Sequence, residues 1–326
     1  MIMKKILLTL ACAFGMSITA FAHQNSIVML EHNGNITTYE PDKINDAIES
    51  AVDGDNVILS EGTFPMFNIK KKISVKGAGA LTVIEGDVDV SIPGEPTLTT
   101  TLISCLKITG YLTVKSAIRG LKISQCTISS LNFTANTYNS IIDRCDVGYA
   151  KLTNTYTETV TVDENTKTYT LPYIKSLSFI NSLLGSVDFG QSANPNLNTT
   201  FINCRMGFYW YLQGTIINCI LYRTDQRGGY AIVRDSQVYN TYAYNIITYN
   251  GCNMSDCYTS EEHLIEYDPE SLTAKGYLGN DGTIIGPLGG NTPYTLTPTV
   301  PHVTEANLKV DPKKQELNAT LTVSPN

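Results

Sequence analysis

Charge is scarce in this chain: Lys, Arg, Asp and Glu make up 16% of 326 residues, and the balance is acidic, with 23 basic against 30 acidic side chains. No basic run exceeds Lys70-Lys71-Lys72, which argues against nucleic acid and against an anionic membrane surface as partners. An acidic partner would have to find a local positive patch. Histidine is rarer still, and His23, His32, His263 and His302 are scattered with no ligand spacing, so a zinc site shared with the cysteines is not expected. Only one Trp is present, Trp210. Beyond the first 22 residues no stretch approaches about twenty continuous apolar residues, so no membrane span is expected.

What fills the chain instead is 42% hydrophobic residues with abundant Gly, Asn, Thr, Ser and Tyr, a composition that suits stacked strands and polar turns better than helices. Lys4 and Lys5 precede an apolar run from Ile6 to Ala20, and Ala20-Phe21-Ala22 offers a cleavage site, so residues 1–22 read as a signal peptide. The mature protein is expected to be exported, to the extracellular space, the cell surface or the periplasm of a Gram-negative bacterium. A lipoprotein signal ending at Cys12 is the rival, with a poor match in Thr9-Leu10-Ala11. Export leaves Cys105, Cys126, Cys145, Cys204, Cys219, Cys252 and Cys257, an odd set, so at least one thiol stays free. Pairing of Cys105 with Cys126, or of Cys252 with Cys257, remains open.

Pro41 and Asp42 start a helix over 42–52 in which Ile44, Ala47, Ile48 and Val52 form one apolar face, suited to cover the open end of a solenoid. Gly54-Asp55, the apolar strand Asn56-Val57-Ile58-Leu59 and Glu61-Gly62-Thr63-Phe64 follow. This opening resembles that of the pectate-lyase-like right-handed parallel β-helix family. The stretch from Phe67 to Gly79, then Thr82-Val83-Ile84-Glu85-Gly86, is similar to that family's second coil. The resemblance implies an all-β fold, a single-stranded right-handed parallel β-helix with an N-terminal capping helix and a short C-terminal β tail.

Internal repetition points the same way. Ile103-Ser104-Cys105, Ile123-Ser124-Gln125-Cys126, Ile142-Asp143-Arg144-Cys145, Phe179-Ile180-Asn181-Ser182, Phe201-Ile202-Asn203-Cys204, Ile216-Ile217-Asn218-Cys219, Ile232-Val233-Arg234-Asp235-Ser236 and Met254-Ser255-Asp256-Cys257 recur mostly at about 15 to 22 residues, the length of one β-helix coil, with one longer gap between Cys145 and Ser182. Adjacent coils lie about 4.8 Å apart, so residues repeated once per coil stack. Asn203-Cys204 and Asn218-Cys219 read as ladders at a sharp turn, the amides satisfying one another and the turn backbone; which member points inward is not encoded in the pattern. Residues 155–172 alternate around a polar turn, as a hairpin protruding from one coil. The β-helix is expected over 23–291, then a Pro-rich linker and a strand pair over 292–326. Asp281-Gly282-Thr283, Gly289-Gly290 and Pro293-Tyr294, followed by the two-strand tail, resemble the closing motifs of secreted β-helix proteins of gut Bacteroidota.

Two functions stand beside each other. Phe208-Tyr209-Trp210-Tyr211 and later tyrosines crowd the last coils, and exposed aromatic rows suit sugar rings. Tyr209, Trp210, Tyr211, Tyr242 and Tyr244 are the candidate ligand-binding residues for a polysaccharide or host glycan, with no catalytic constellation and no cofactor. Alternatively, the fold resemblance implies a polysaccharide lyase or glycoside hydrolase acting on an acidic polysaccharide. A lyase needs a basic residue to take a proton and cations to neutralise the neighbouring carboxylate. Lys175, Arg205, Arg223, Asp225 and Arg227 are the material for it, with Asp143 and Asp146 as calcium ligands. The Asp-Asp and Gly-His-Gly motifs of polygalacturonase-like β-helices are absent. A purely structural or adhesive role is the third alternative. Oligomeric state is not legible.

Overall fold

The computed structural model describes residues 26–98, 101–152, 155–162, 165–189, 198–221, 232–234, 236–244, 248–260, 269–295, 302–311 and 316–324. They form a right-handed parallel β-helix built from two long sheets. In the first, twelve-stranded sheet, short strands such as Leu102–Ser104, Lys122–Ser124, Ser140–Asp143, Leu177–Ile180 and Thr199–Ile202 stack in parallel, one per coil. The second, ten-stranded sheet stacks Lys107–Val114, Thr127–Phe133, Asp146–Lys151, Leu183–Asp188 and Arg205–Trp210 in the same order. A third side carries only short pairs, among them Ile118–Arg119 with Thr137–Tyr138.

The core follows from strand alternation. Val75, Ile103, Ile123, Ile142, Phe179, Phe201 and Ile216 form one buried column of the first sheet, with each residue over its counterpart in the next coil. Where two phenylalanines meet, Phe179 and Phe201, their rings stack at 5.2 Å. Facing them, Ile108, Ile128, Val147, Leu184 and Met206 line the second sheet.

From Leu102–Ser104 onward each coil turns between the two sheets on a single residue in the left-handed region: Cys105, Gln125, Arg144, Asn181, Asn203, Asn218, Asn240 and Asp256, all with φ between 45° and 56°. Asn and Asp tolerate this conformation best among non-glycine residues, which accounts for their recurrence there. The next residue points inward. Cys126, Cys145, Ser182, Cys204 and Cys219 are buried in one column. Each Sγ or Oγ donates to the carbonyl two residues back, as Cys204 does to Ile202 (3.3 Å) and Ser182 to Ile180 (2.8 Å). The position selects a small side chain with a donor, so Ser182 can stand in a column of cysteines. All seven thiols among the described residues are free.

At the N-terminal end a 3-10 turn, Pro41–Lys43, leads into the α-helix Ile44–Ser50, which buries Ile44, Ala47 and Ile48. Val52 does not join that face, contrary to the expectation from helical spacing. The chain turns extended at Ala51 (ψ 155°), so Ala51 is buried and Val52 is 48% exposed. An antiparallel hairpin of Val28–His32 and Asn35–Tyr39, not foreseen, adds to the edge of the first sheet through Asn56–Leu59. Thr155–Val162 and Asn165–Pro172 pair antiparallel, as do His302–Asp311 and Glu316–Ser324.

After the helix Pro269–Ala274, residues 277–295 turn back along the outside of the left-handed corner. The Asn218 amide bonds Asn280 Oδ1 at 3.0 Å, and the Asn181 amide donates to Pro287 O and Gly289 O. These corner amides therefore serve a strap across the coils, where mutual satisfaction is the sequence expectation.

Candidate functional site

The outer face of the second sheet carries a bulge in successive coils. Val147 and Ala150 are both fully buried, yet two residues, Gly148 and Tyr149, stand between them where a regular strand places one. The first residue of each bulge presses against the preceding coil. A Cβ on Gly148 would lie 2.8 Å from Ser129 O, one on Gly185 2.6 Å from Gly148 O, and one on Gly207 2.9 Å from Gly185 O. Backbone approach therefore accounts for glycine at these three positions, while the preceding coil has Ser129 there. The consequence is a strip with almost no side chains along the solenoid axis, exposed at Ser129, Gly148 and Gly185.

Two columns wall this strip. On one side Tyr111, Ser130, Tyr149, Ser186 and Phe208 follow in register. On the other stand Lys107, Thr127, Asp146, Leu183 and Arg205. Tyr111 is 55% exposed, and Tyr149 and Phe208 are half-buried. The Tyr149 hydroxyl donates to Asp188 Oδ2 in the next coil at 2.8 Å, so the ring leans along the axis and is held there. Burial, then the adjacent Asp188 carboxylate, pushes the Tyr149 hydroxyl up to about 12, which keeps it a neutral donor. Burial also raises the Asp146 carboxyl above its ordinary range. Flat apolar rings beside a bare backbone floor can stack against sugar faces, with polar side chains in reach of hydroxyl groups.

The aromatic residues expected at the site divide. Tyr209 is 2% exposed, inward in the column of Leu131, Ala150 and Val187, and is unavailable to a glycan. Tyr242 is 1% exposed, packed with Ile220, Leu272 and Ile285, its ring 5.3 Å from that of Tyr277. It is covered by the returning C-terminal segment, which strand alternation cannot reveal. Tyr211 is half-buried against the main core. Trp210 and Tyr244 are described in backbone only, paired with Asp188 and Ser260.

The charged candidates do not gather. Lys175 follows Ile174, which bridges Thr137 on the third side, while Arg205 stands on the second sheet. Arg223, Asp225 and Arg227 lie outside the described residues, as do residues 1–22, where a signal peptide is expected. Asp143 does not suit calcium, because its Oδ2 already accepts from Arg144 at 3.0 Å and Ser124 at 3.2 Å, with Lys122 Nζ at 3.9 Å. Asp146 lies beyond the corner on the other sheet, and no group of three His, Cys, Asp or Glu suited to a metal occurs among the described residues.

Tyr111 and Tyr149 were not among the expected residues. Their signal was local: a small residue followed by the row residue, in Gly110-Tyr111, Ser129-Ser130, Gly148-Tyr149, Gly185-Ser186 and Gly207-Phe208, recurs a few positions after each inward corner residue. No family model matches the chain, and no curated protein or solved structure matches it either. The class is therefore defined by the architecture: a parallel β-helix with a bulged, aromatic-bearing face.

Proposed function

We propose that this protein is an exported β-helix that binds glycan along the outer face of its second sheet, as a binding module and not as an enzyme. The observation that carries this is the in-register row of Tyr111, Tyr149 and Phe208 beside the glycine strip. The partner is a polysaccharide or host glycan met outside the cell, at its surface or in the periplasm. Support for that address comes from the Lys4-Lys5, apolar-run and Ala20-Phe21-Ala22 pattern. The likeness to pectate-lyase-like β-helices and to secreted proteins of gut Bacteroidota, resting on the opening and closing motifs, agrees with it. Shared fold by itself assigns no activity.

One observation favours a second reading, a lyase on acidic polysaccharide. The Arg119 guanidinium lies 4.9 Å from the Tyr138 ring centre on the third side, and the bridge between Thr137 and Ile174 sets Lys175 beside Tyr138. Cation and aromatic together suit a uronate. Native electrophoresis of the mature chain through gels cast with different polysaccharides, then stained for polymer, separates the two. Retarded migration over intact polymer is the expected result. A cleared zone makes the protein an enzyme, and unretarded migration in every polymer rejects glycan binding in favour of an adhesive or structural role.

A further inference from the structure

The two walls of the glycine strip share a period of two coils. In one, aromatic rings at Tyr111, Tyr149 and Phe208 alternate with serines at Ser130 and Ser186. In the other, charged Lys107, Asp146 and Arg205 alternate with Thr127 and Leu183. Neighbouring coils do not need this alternation to pack, since Phe179 and Phe201 stack ring on ring in adjacent coils of the core. Coils repeat at about 4.8 Å, so the rings recur at roughly 10 Å. A flat β-1,4-linked sugar chain presents the same face once per disaccharide, over a comparable length.

Charge narrows the ligand further. Along the wall the sign alternates from Lys107 to Asp146 to Arg205, and Lys151 pairs in register with Asp188 beyond the aromatic row. No stripe of one sign runs along the strip. A polyanion would meet Asp146 and Asp188 set among the three cations, whereas a neutral chain finds hydrogen-bonding groups of both kinds without that repulsion. The bare floor at Gly148 and Gly185 admits a sugar ring against the backbone.

The geometry points to a neutral, extended, β-1,4-linked glycan as the ligand, lying along the solenoid axis with alternate sugars on Tyr111 and Tyr149. This rests on the glycan-binding role proposed for the same face. Helical α-1,4-glucans and polygalacturonate do not fit the period or the charge.

The test is titration calorimetry of the mature full chain with cellohexaose, xylohexaose and mannohexaose against maltohexaose and hexagalacturonate. At least one of the β-1,4-linked hexasaccharides binds, and the last two do not. Ser130→Tyr fills the gap between two rings and abolishes that binding. Tyr111→Ala, at an exposed position where folding is not at stake, weakens it by about tenfold. Binding of maltohexaose or hexagalacturonate alone, lost in Tyr111→Ala, overturns the ligand class and leaves the face standing as a glycan site. Binding of a β-1,4 hexasaccharide unchanged in both variants overturns both. Retardation in polymer gels with no hexasaccharide bound overturns the inference alone.

Discussion

The Asn181 side-chain amide donates to Pro287 O at 3.1 Å and to Gly289 O at 2.7 Å, across 106 and 108 residues of chain. One residue thereby does two things. Its left-handed backbone turns the coil from the first sheet to the second, and its amide fastens the C-terminal strap over that corner. Asn218 repeats the arrangement with Asn280, bonding it in both directions at 3.0 and 3.2 Å.

Replacing Asn181 by Ala takes the amide donor from Gly289 O and leaves Pro287 O with the Tyr294 N–H alone (2.7 Å), in a buried setting, because Asn181 is only 2% exposed. The expected loss is about 1–3 kcal/mol, read as a lower urea midpoint. Asn218→Ala behaves alike, and either variant matching the wild type would show that the strap does not hold the corner.

The inward thiols predict a reactivity order. Burial pushes the Cys145 and Cys204 thiols well above their ordinary value, and Cys126 and Cys219 are buried beside them. Among the described thiols, Ellman's reagent added to the native protein should label Cys252 and Cys257, which are partly exposed, and reach the buried ones only after denaturation. Rapid native labelling of Cys204 would contradict the inward column.

Gly185→Ala tests the bulge that makes the floor. The added Cβ meets Gly148 O at 2.6 Å, a backbone atom that cannot step aside. The variant should lose about 1–3 kcal/mol of stability. A thermal midpoint equal to wild type would mean that the coils are not in this register.

Acid should weaken the N-terminal end through Asp55. Burial works against its charge, but the Val52 N–H at 2.8 Å and His32 at 2.7 Å outweigh it, and its carboxyl lies below the ordinary 3.8. A depressed value means stabilisation that is complete above the unfolded value and lost as pH falls through the folded one. The urea midpoint of Asp55→Asn should therefore trail the wild type at neutral pH, with the gap closing below pH 3.8. A gap of constant size down to the lowest pH would remove Asp55 from the balance.

The β-helix was legible because a coil repeats its chemistry: Ile-Asn-Cys at 202–204 and 217–219 is one corner written twice. The direction of each member was not legible, since Asn203 and Cys204 are both buried, one beneath the strap and one in the core. Tyr242 misled for the same reason. Its strand turns it outward, and only the return of Tyr277 and Ile285 from further along the chain covers it. Tyr111 and Tyr149 were hidden differently. Clustering along the chain drew attention to Tyr209 and Trp210, whereas the row is assembled by stacking residues 38 positions apart. A ladder shows itself in sequence only when its residue type is the same in every coil, and this one alternates.

The most direct measurement is affinity electrophoresis of a Tyr111→Ala/Tyr149→Ala double variant against wild type, in a gel containing the retarding polysaccharide. Tyr239→Ala serves as the control, an exposed tyrosine on the first sheet. Loss of retardation in the double variant, with Tyr239→Ala migrating as wild type, is the result predicted by binding on the second sheet. Full retardation of the double variant, or loss in Tyr239→Ala alone, would contradict it.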